Sequence, residues 1–166
     1  MLDPNADPYA NADSSENVTA ALFGARDATD LNWVQLLNSY SCTECGRCSS
    51  VCPANQTGKL LSPRKVMMDT RDRIEDIGNN KNEGKFLLGD YISNEELWAC
   101  TTCNACTDAC PINLDPMSII VDLRRYLVME KSSAPTELNN MFSNIENNGA
   151  PWQFPAADRL KWIEEK

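Results

Sequence analysis

Eight cysteines stand in two copies of one pattern, Cys42-x2-Cys45-x2-Cys48-x3-Cys52-Pro53 and Cys100-x2-Cys103-x2-Cys106-x3-Cys110-Pro111, and they are all the cysteines of the 166-residue chain. Three thiolates at steps of three residues let one tight stretch of backbone hold three corners of an iron–sulfur cube. A fourth, one residue further out, points toward a second cube. The doubled pattern therefore predicts two [4Fe–4S] clusters with all eight cysteines as ligands.

Where such motifs come in pairs, the cysteine of each Cys-Pro step serves the other cluster. That rule gives Cys42, Cys45, Cys48 and Cys110 to cluster one, and Cys100, Cys103, Cys106 and Cys52 to cluster two. Cys48 and Cys52 are four residues apart, so at ~3.6 Å per residue their α carbons stay within roughly 14 Å. The clusters are thereby tethered close enough to exchange electrons directly. Competing uses of the cysteines explain less. A disulfide framework leaves two identical triplets unexplained, and the N-terminus has neither the charged start nor the apolar core of a signal peptide. Structural zinc closes on four ligands and has no use for a third equally spaced cysteine followed by Cys-Pro in both copies. One alternative stays open, in which the clusters are structural staples of a docking module without redox turnover.

Composition narrows the chemistry further. The chain has no histidine, which excludes histidine-ligated haem, Rieske ligation, histidine-zinc sites and a histidine general base. No glycine-rich dinucleotide fingerprint is present. With 24 acidic against 15 basic residues and a formal charge of −9, nucleic acid is not an expected partner, because binding it calls for a basic stripe. All eight thiols are used by the clusters, and no small-molecule substrate or catalytic residue is expected on this chain alone.

The elements that must carry the motifs read as helices. Residues 1–28, rich in Asp, Asn, Ala and Pro, are expected to be a flexible acidic leader. A helix is predicted from Asp30 to about Ser39 with Thr29 as its cap, its apolar face built from Leu31, Val34 and Leu37 or from Trp33, Leu36 and Leu37. Ser62-Pro63 reads as a cap followed by proline at the first helical position. That helix runs to about Ile77 with Val66, Met67, Thr70, Ile74 and Ile77 on its core face, and a polar, mobile loop follows over 79–90. Ser93-x-x-Glu96 is a capping box ahead of the second motif. Asp115-Pro116 opens a helix to about Glu130, with Met117, Ile120, Leu123 and Leu127 on one side and Arg124 and Arg125 elsewhere. A last helix spans Pro135 to Asn147, and Trp152, Phe154 and Trp162 beyond it are expected to pack on the domain, with a partner as the second choice. Alternating β pattern is nearly lacking between the motifs. The expectation is an all-α fold, two cluster motifs joined by capped helices, over residues 29–134, with a helical extension over 135–166.

The motif pair, the helical spacer, Leu61-Ser62-Pro63-Arg64-Lys65 and Glu96-Leu97-Trp98-Ala99-Cys100-Thr101-Thr102-Cys103 resemble the α-helical ferredoxin domains of heterodisulfide reductase C-type subunits, of the 4Fe-4S dicluster group. More narrowly, the chain resembles the soluble C-terminal part of bacterial membrane-bound iron–sulfur oxidoreductases. The resemblance implies electron transfer within a respiratory or heterodisulfide reductase-like complex. It also implies a cysteine-rich-domain subunit and a membrane-embedded segment or subunit as partners, and a place at the cytoplasmic face of the inner membrane. No apolar run of transmembrane length occurs in these residues, so the chain corresponds to that part either as a piece or as a free-standing relative.

Charge along the sequence differs between the motifs. Arg47, Lys59, Arg64 and Lys65 lie in or soon after the first, whereas the second has Asp108 and no base between its cysteines. A reduced cluster is the more negative one, so cluster one is expected to have the higher potential.

Overall fold

In the computed structural model, residues 23–81 and 84–164 are described. Most of the expected leader, residues 1–22, lies outside them, as do Asn82 and Glu83 of the expected loop. The chain divides into two compact units, one extending to Glu130 and one beginning at Lys131. The described residues contain helices and no β-strand, only an isolated bridge between Leu88 and Ile92. The fold is all-α.

The first unit is built around helix α4, Pro63–Gly78. Ser62 accepts from the Lys65 amide at its start and Pro63 occupies the first helical position, where a missing N–H costs nothing. Its inner face is Val66, Met67, Thr70 and Arg73. Helix α1, Trp33–Ser41, and helix α7, Pro116–Met129, both pack on it. Asp115 caps α7 through the amides of Met117 and Ser118. Leu97, Ile119 and Leu123 are fully buried, each stabilising the fold by about 1.5–3 kcal/mol. Leu97 belongs to the short helix α5, Asn94–Ala99, whose Ser93–Glu96 capping box is formed as the sequence predicts.

Three expectations are corrected. The first helix begins at Trp33, after a 3-10 turn over Ala28–Asp30, because Asn32 forms a capping box with Gln35, while Asp27 forms one with Asp30. Its buried residues are Gln35 and Ser39, and Trp33, Val34 and Leu37 are exposed. Gln35 donates to Asp122 of α7 at 2.7 Å, and the Ser39 hydroxyl donates to the Leu36 carbonyl at 2.7 Å. Polar groups with partners thus take the inner side.

The end of the expected leader is packed against the unit. Ala25 and Ala28 are buried, and Gly24 adopts φ +87° so close to α7 that a Cβ there would meet the Asp122 carbonyl oxygen at 2.4 Å. The second half of the expected mobile loop is likewise fixed. Leu87 is fully buried, and its amide donates to Asp27 at 3.0 Å.

The second unit contains α8, Thr136–Asn148, closed by Gly149 at φ 63°. Asn144 donates to the Pro151 carbonyl at 3.1 Å. Trp152, Phe154 and Trp162 are exposed.

Candidate iron–sulfur centre

Both motifs are made by the same local construction. Cys42 and Cys100 are the C-terminal caps of α1 and α5, their amides donating to Ser39 and Leu97 carbonyls at 3.4 and 3.2 Å. The chain then turns left-handed twice, at Glu44 (φ 58°) and Gly46 (φ 79°) in the first motif and at Thr102 (φ 53°) and Asn104 (φ 64°) in the second. Each motif next enters a short helix that carries its third cysteine, α2 over Arg47–Val51 for Cys48 and α6 over Ala105–Asp108 for Cys106. Helix α3, Pro53–Gln56, follows Cys52. A left-handed residue other than glycine costs about 1–3 kcal/mol and persists where the surroundings fix it. Three of these four positions are not glycine, so both loops hold strain at matching places.

Helices α2 and α6 pack against each other, which brings the motifs together. One cavity is lined by Cys42, Cys45 and Cys48 of the first motif and by Cys106 and Cys110 of the second. Arg47, Arg64, Met67, Ile112 and Leu114 also line it. A second cavity is lined by Cys100, Cys103 and Cys106 with Cys52 of the first motif, against Leu61, Met117 and Ile120. Cys106 thus lines both. Cys52 and Cys106 are buried, whereas Cys45 and Cys103 are exposed.

The donors suit thiolate-bound iron. The thiols stand around cavities, as a polynuclear cluster needs. Burial pushes the Cys106 thiol up to about 11, against opposing hydrogen bonds from Thr107, and also raises Cys48. Cluster binding must release those protons. Hydrogen bonds from the Ala105 amide and the Thr101 hydroxyl lower Cys103, and the Thr102 amide donates to the Cys100 sulfur at 3.4 Å. Such N–H donors to sulfur tune a cluster's potential.

Several supporting residues escape a reading by cysteine spacing. Arg71 pairs with the left-handed Glu44 at 2.7 Å, and Arg64 reaches the first cavity one helical heptad earlier. The helical period places both on one face of α4, a signal present in the sequence. Lys65, counted with Arg64 above, turns instead to Glu96 at 2.8 Å and Asp69 at 2.9 Å. Arg124 of α7 donates to the carbonyls of Leu97 and Cys100, a link that only the tertiary fold supplies.

Helical packing and paired cysteine cavities define the class of an all-α iron–sulfur domain with two [4Fe–4S] clusters. The sequence of residues 41–114 matches the family described as 4Fe-4S dicluster domain. Its function is electron transfer. The chain is 32% identical to the probable iron-sulfur-binding oxidoreductase FadF of Bacillus subtilis, over 89% of this chain and 26% of that protein. It is 30% identical to a probable membrane-anchored ferredoxin of Chromohalobacter salexigens, over 87% of this chain and 25% of the other. The C-type subunit of a ferredoxin/F(420)H(2)-dependent CoB-CoM heterodisulfide reductase of Methanosarcina acetivorans is 35% identical over 60% of this chain and 52% of its own length. The chain thus spans about a quarter of the length of the first two relatives and about half of the third. Among the described residues no helix is long and apolar enough to cross a membrane.

Proposed function

We propose that the chain is the electron-relay part of a membrane-bound iron–sulfur oxidoreductase, holding its two clusters by crossed ligation. Cys42, Cys45, Cys48 and Cys110 hold one cluster, and Cys100, Cys103, Cys106 and Cys52 hold the other. The observation that carries this reading is the composition of the two cavities, each of which joins three cysteines of one motif to the Cys-Pro cysteine of the other, with Cys106 lining the first cavity as well. When bound, the clusters supply one-electron oxidation and reduction. The protein's part is to hold them, to keep Cys52 and Cys106 away from water, and to leave the Cys45 and Cys103 edges open to redox partners.

The proposal extends to the partners. A cysteine-rich-domain subunit exchanges electrons with this domain, and a membrane-embedded segment or subunit holds it at the cytoplasmic face of the inner membrane. Supports for this are the heterodisulfide reductase subunit and the membrane-anchored ferredoxin among its relatives. The test is iron and acid-labile sulfide in anaerobically prepared protein, followed by EPR of the dithionite-reduced sample. About eight iron per chain and the broadened signal of two interacting clusters are expected. Zinc in place of iron, or clusters that resist reduction, would make the domain a structural docking module instead.

A further inference from the structure

Arg124 is half-buried on α7. Its Nε donates to the Leu97 carbonyl at 2.9 Å, and its Nη2 donates to the carbonyls of both Leu97 and Cys100. The guanidinium lies 5.0 Å from the Trp98 ring centre. These carbonyls belong to the C-terminal end of α5, where unpaired C=O groups gather negative potential. Arg124 satisfies them with a cation.

The same contact sets that cation beside the first cysteine of the second motif, which lines the second cavity. Burial draws the Arg124 pKa down and the negative charge of the Cys100 thiolate draws it back up; arginine stays charged throughout. Among the described residues no carboxylate pairs with Arg124. Its neighbour Arg125 differs on both counts, being exposed and paired with Asp122 at 2.9 Å. Two adjacent arginines thus carry one charge each, one engaged in a surface pair and one turned toward Cys100.

We propose that Arg124 is a positioning residue whose charge raises the reduction potential of the cluster held at Cys100, by stabilising the added electron. Reduction makes a cluster more negative, and a fixed cation in a partly buried site favours that state more than an exposed one does. The charge count along the sequence leaves the second motif without a base; the fold supplies one. This inference rests on the reading that Cys100 ligates a cluster.

The experiment is an EPR-monitored redox titration of the iron-loaded chain and of Arg124→Gln, Arg124→Lys and Arg125→Gln. The expected result is a fall in one midpoint in Arg124→Gln, by about tenfold in the reduction equilibrium, or ~59 mV for a one-electron couple. That midpoint belongs to the cluster whose signal Cys103→Ser alters. Arg124→Lys restores most of the shift, and Arg125→Gln leaves both midpoints in place. Unchanged midpoints in a fully loaded Arg124→Gln, a shift in the other cluster, or a lysine variant no better than glutamine overturns the proposal and leaves Arg124 a helix cap. Should Arg124→Gln take up no iron, Val128→Glu brings a carboxylate to the guanidinium from one helical turn away. The same midpoint must then fall, and a constant one overturns the proposal equally. Iron and sulfide are measured in every sample. An unsubstituted chain with too little of both refutes the ligand assignment, whereas full content with constant potentials refutes only the role of Arg124.

Discussion

Arg73 donates two hydrogen bonds into the carboxylate of Asp27, Nε to one oxygen at 2.8 Å and Nη2 to the other at 2.7 Å, and both residues are buried. The fork geometry of guanidinium matches a carboxylate in this way. Asp27 also accepts from the Ala28 and Leu87 amides at 2.9 and 3.0 Å. A single carboxylate therefore joins the approach to α1, the middle of α4 and the turn that leads to α5. Those are the elements that deliver both cysteine motifs.

Arg73→Met leaves the Asp27 charge buried and is expected to destabilise the domain by about 3–5 kcal/mol. Guanidinium unfolding of the loaded protein, followed by helical circular dichroism, measures it. Pairing the change with Asp27→Leu should recover much of the loss, because no charge is then stranded. A double variant as weak as the single one would refute the account.

Acid should weaken the same junction. Burial by itself raises the Asp27 pKa, but hydrogen bonds from Arg73 and from the Ala28 and Leu87 amides outweigh it and hold the carboxyl below its usual range. A folded-state pKa below the unfolded value of about 3.9 gives stability that is complete above that value and lost as pH falls through the folded one. Asp27→Asn should therefore be less stable at neutral pH and show a flatter loss of stability below about pH 4. Parallel pH profiles for the two proteins would contradict this.

Gly24→Ala should destabilise the first unit by about 2–5 kcal/mol. The added carbon would lie 2.4 Å from the Asp122 carbonyl oxygen and 2.5 Å from the Tyr126 amide nitrogen, at a φ of +87°. Backbone on α7 cannot yield as a flexible side chain does. Thermal unfolding checks it, and a midpoint within a degree or two of the parent would show that the contact is looser than the structure describes.

Gly46 and Asn104 hold equivalent left-handed positions. Asparagine tolerates that conformation and a β-branched residue does not. Gly46→Asn should therefore load iron like the parent, and Gly46→Val should lose a large part of it. Space is not the reason, since the nearest atom to an added Cβ is the Arg64 Nη1 at 3.9 Å. Equal loading of the two variants would remove backbone conformation as the cause.

Much of this was legible in the residues. The Ser62-Pro63 and Asp115-Pro116 starts and the Ser93–Glu96 box are local signals, and the fold realises each of them. What was hidden depends on partners distant in sequence. Gln35 and Arg73 break the helical apolar pattern, yet each turns inward because an aspartate elsewhere in the chain receives it. Composition likewise made residues 23–28 look like the end of a leader, because nothing in Gly24 or Asp27 announces a helix 98 positions onward or an arginine 46 positions away. Arg124 was hidden for the same reason, since the Leu97 and Cys100 carbonyls that it meets lie 27 and 24 positions away.

Cys106 lines both cavities. With so thin a partition, charge placed on one side is felt on the other, since like charges at short range in a poorly screened interior repel strongly. The first electron to arrive therefore makes the second harder to add, whichever cluster takes it. Such a domain fills in single steps, and its second electron leaves more readily than its first.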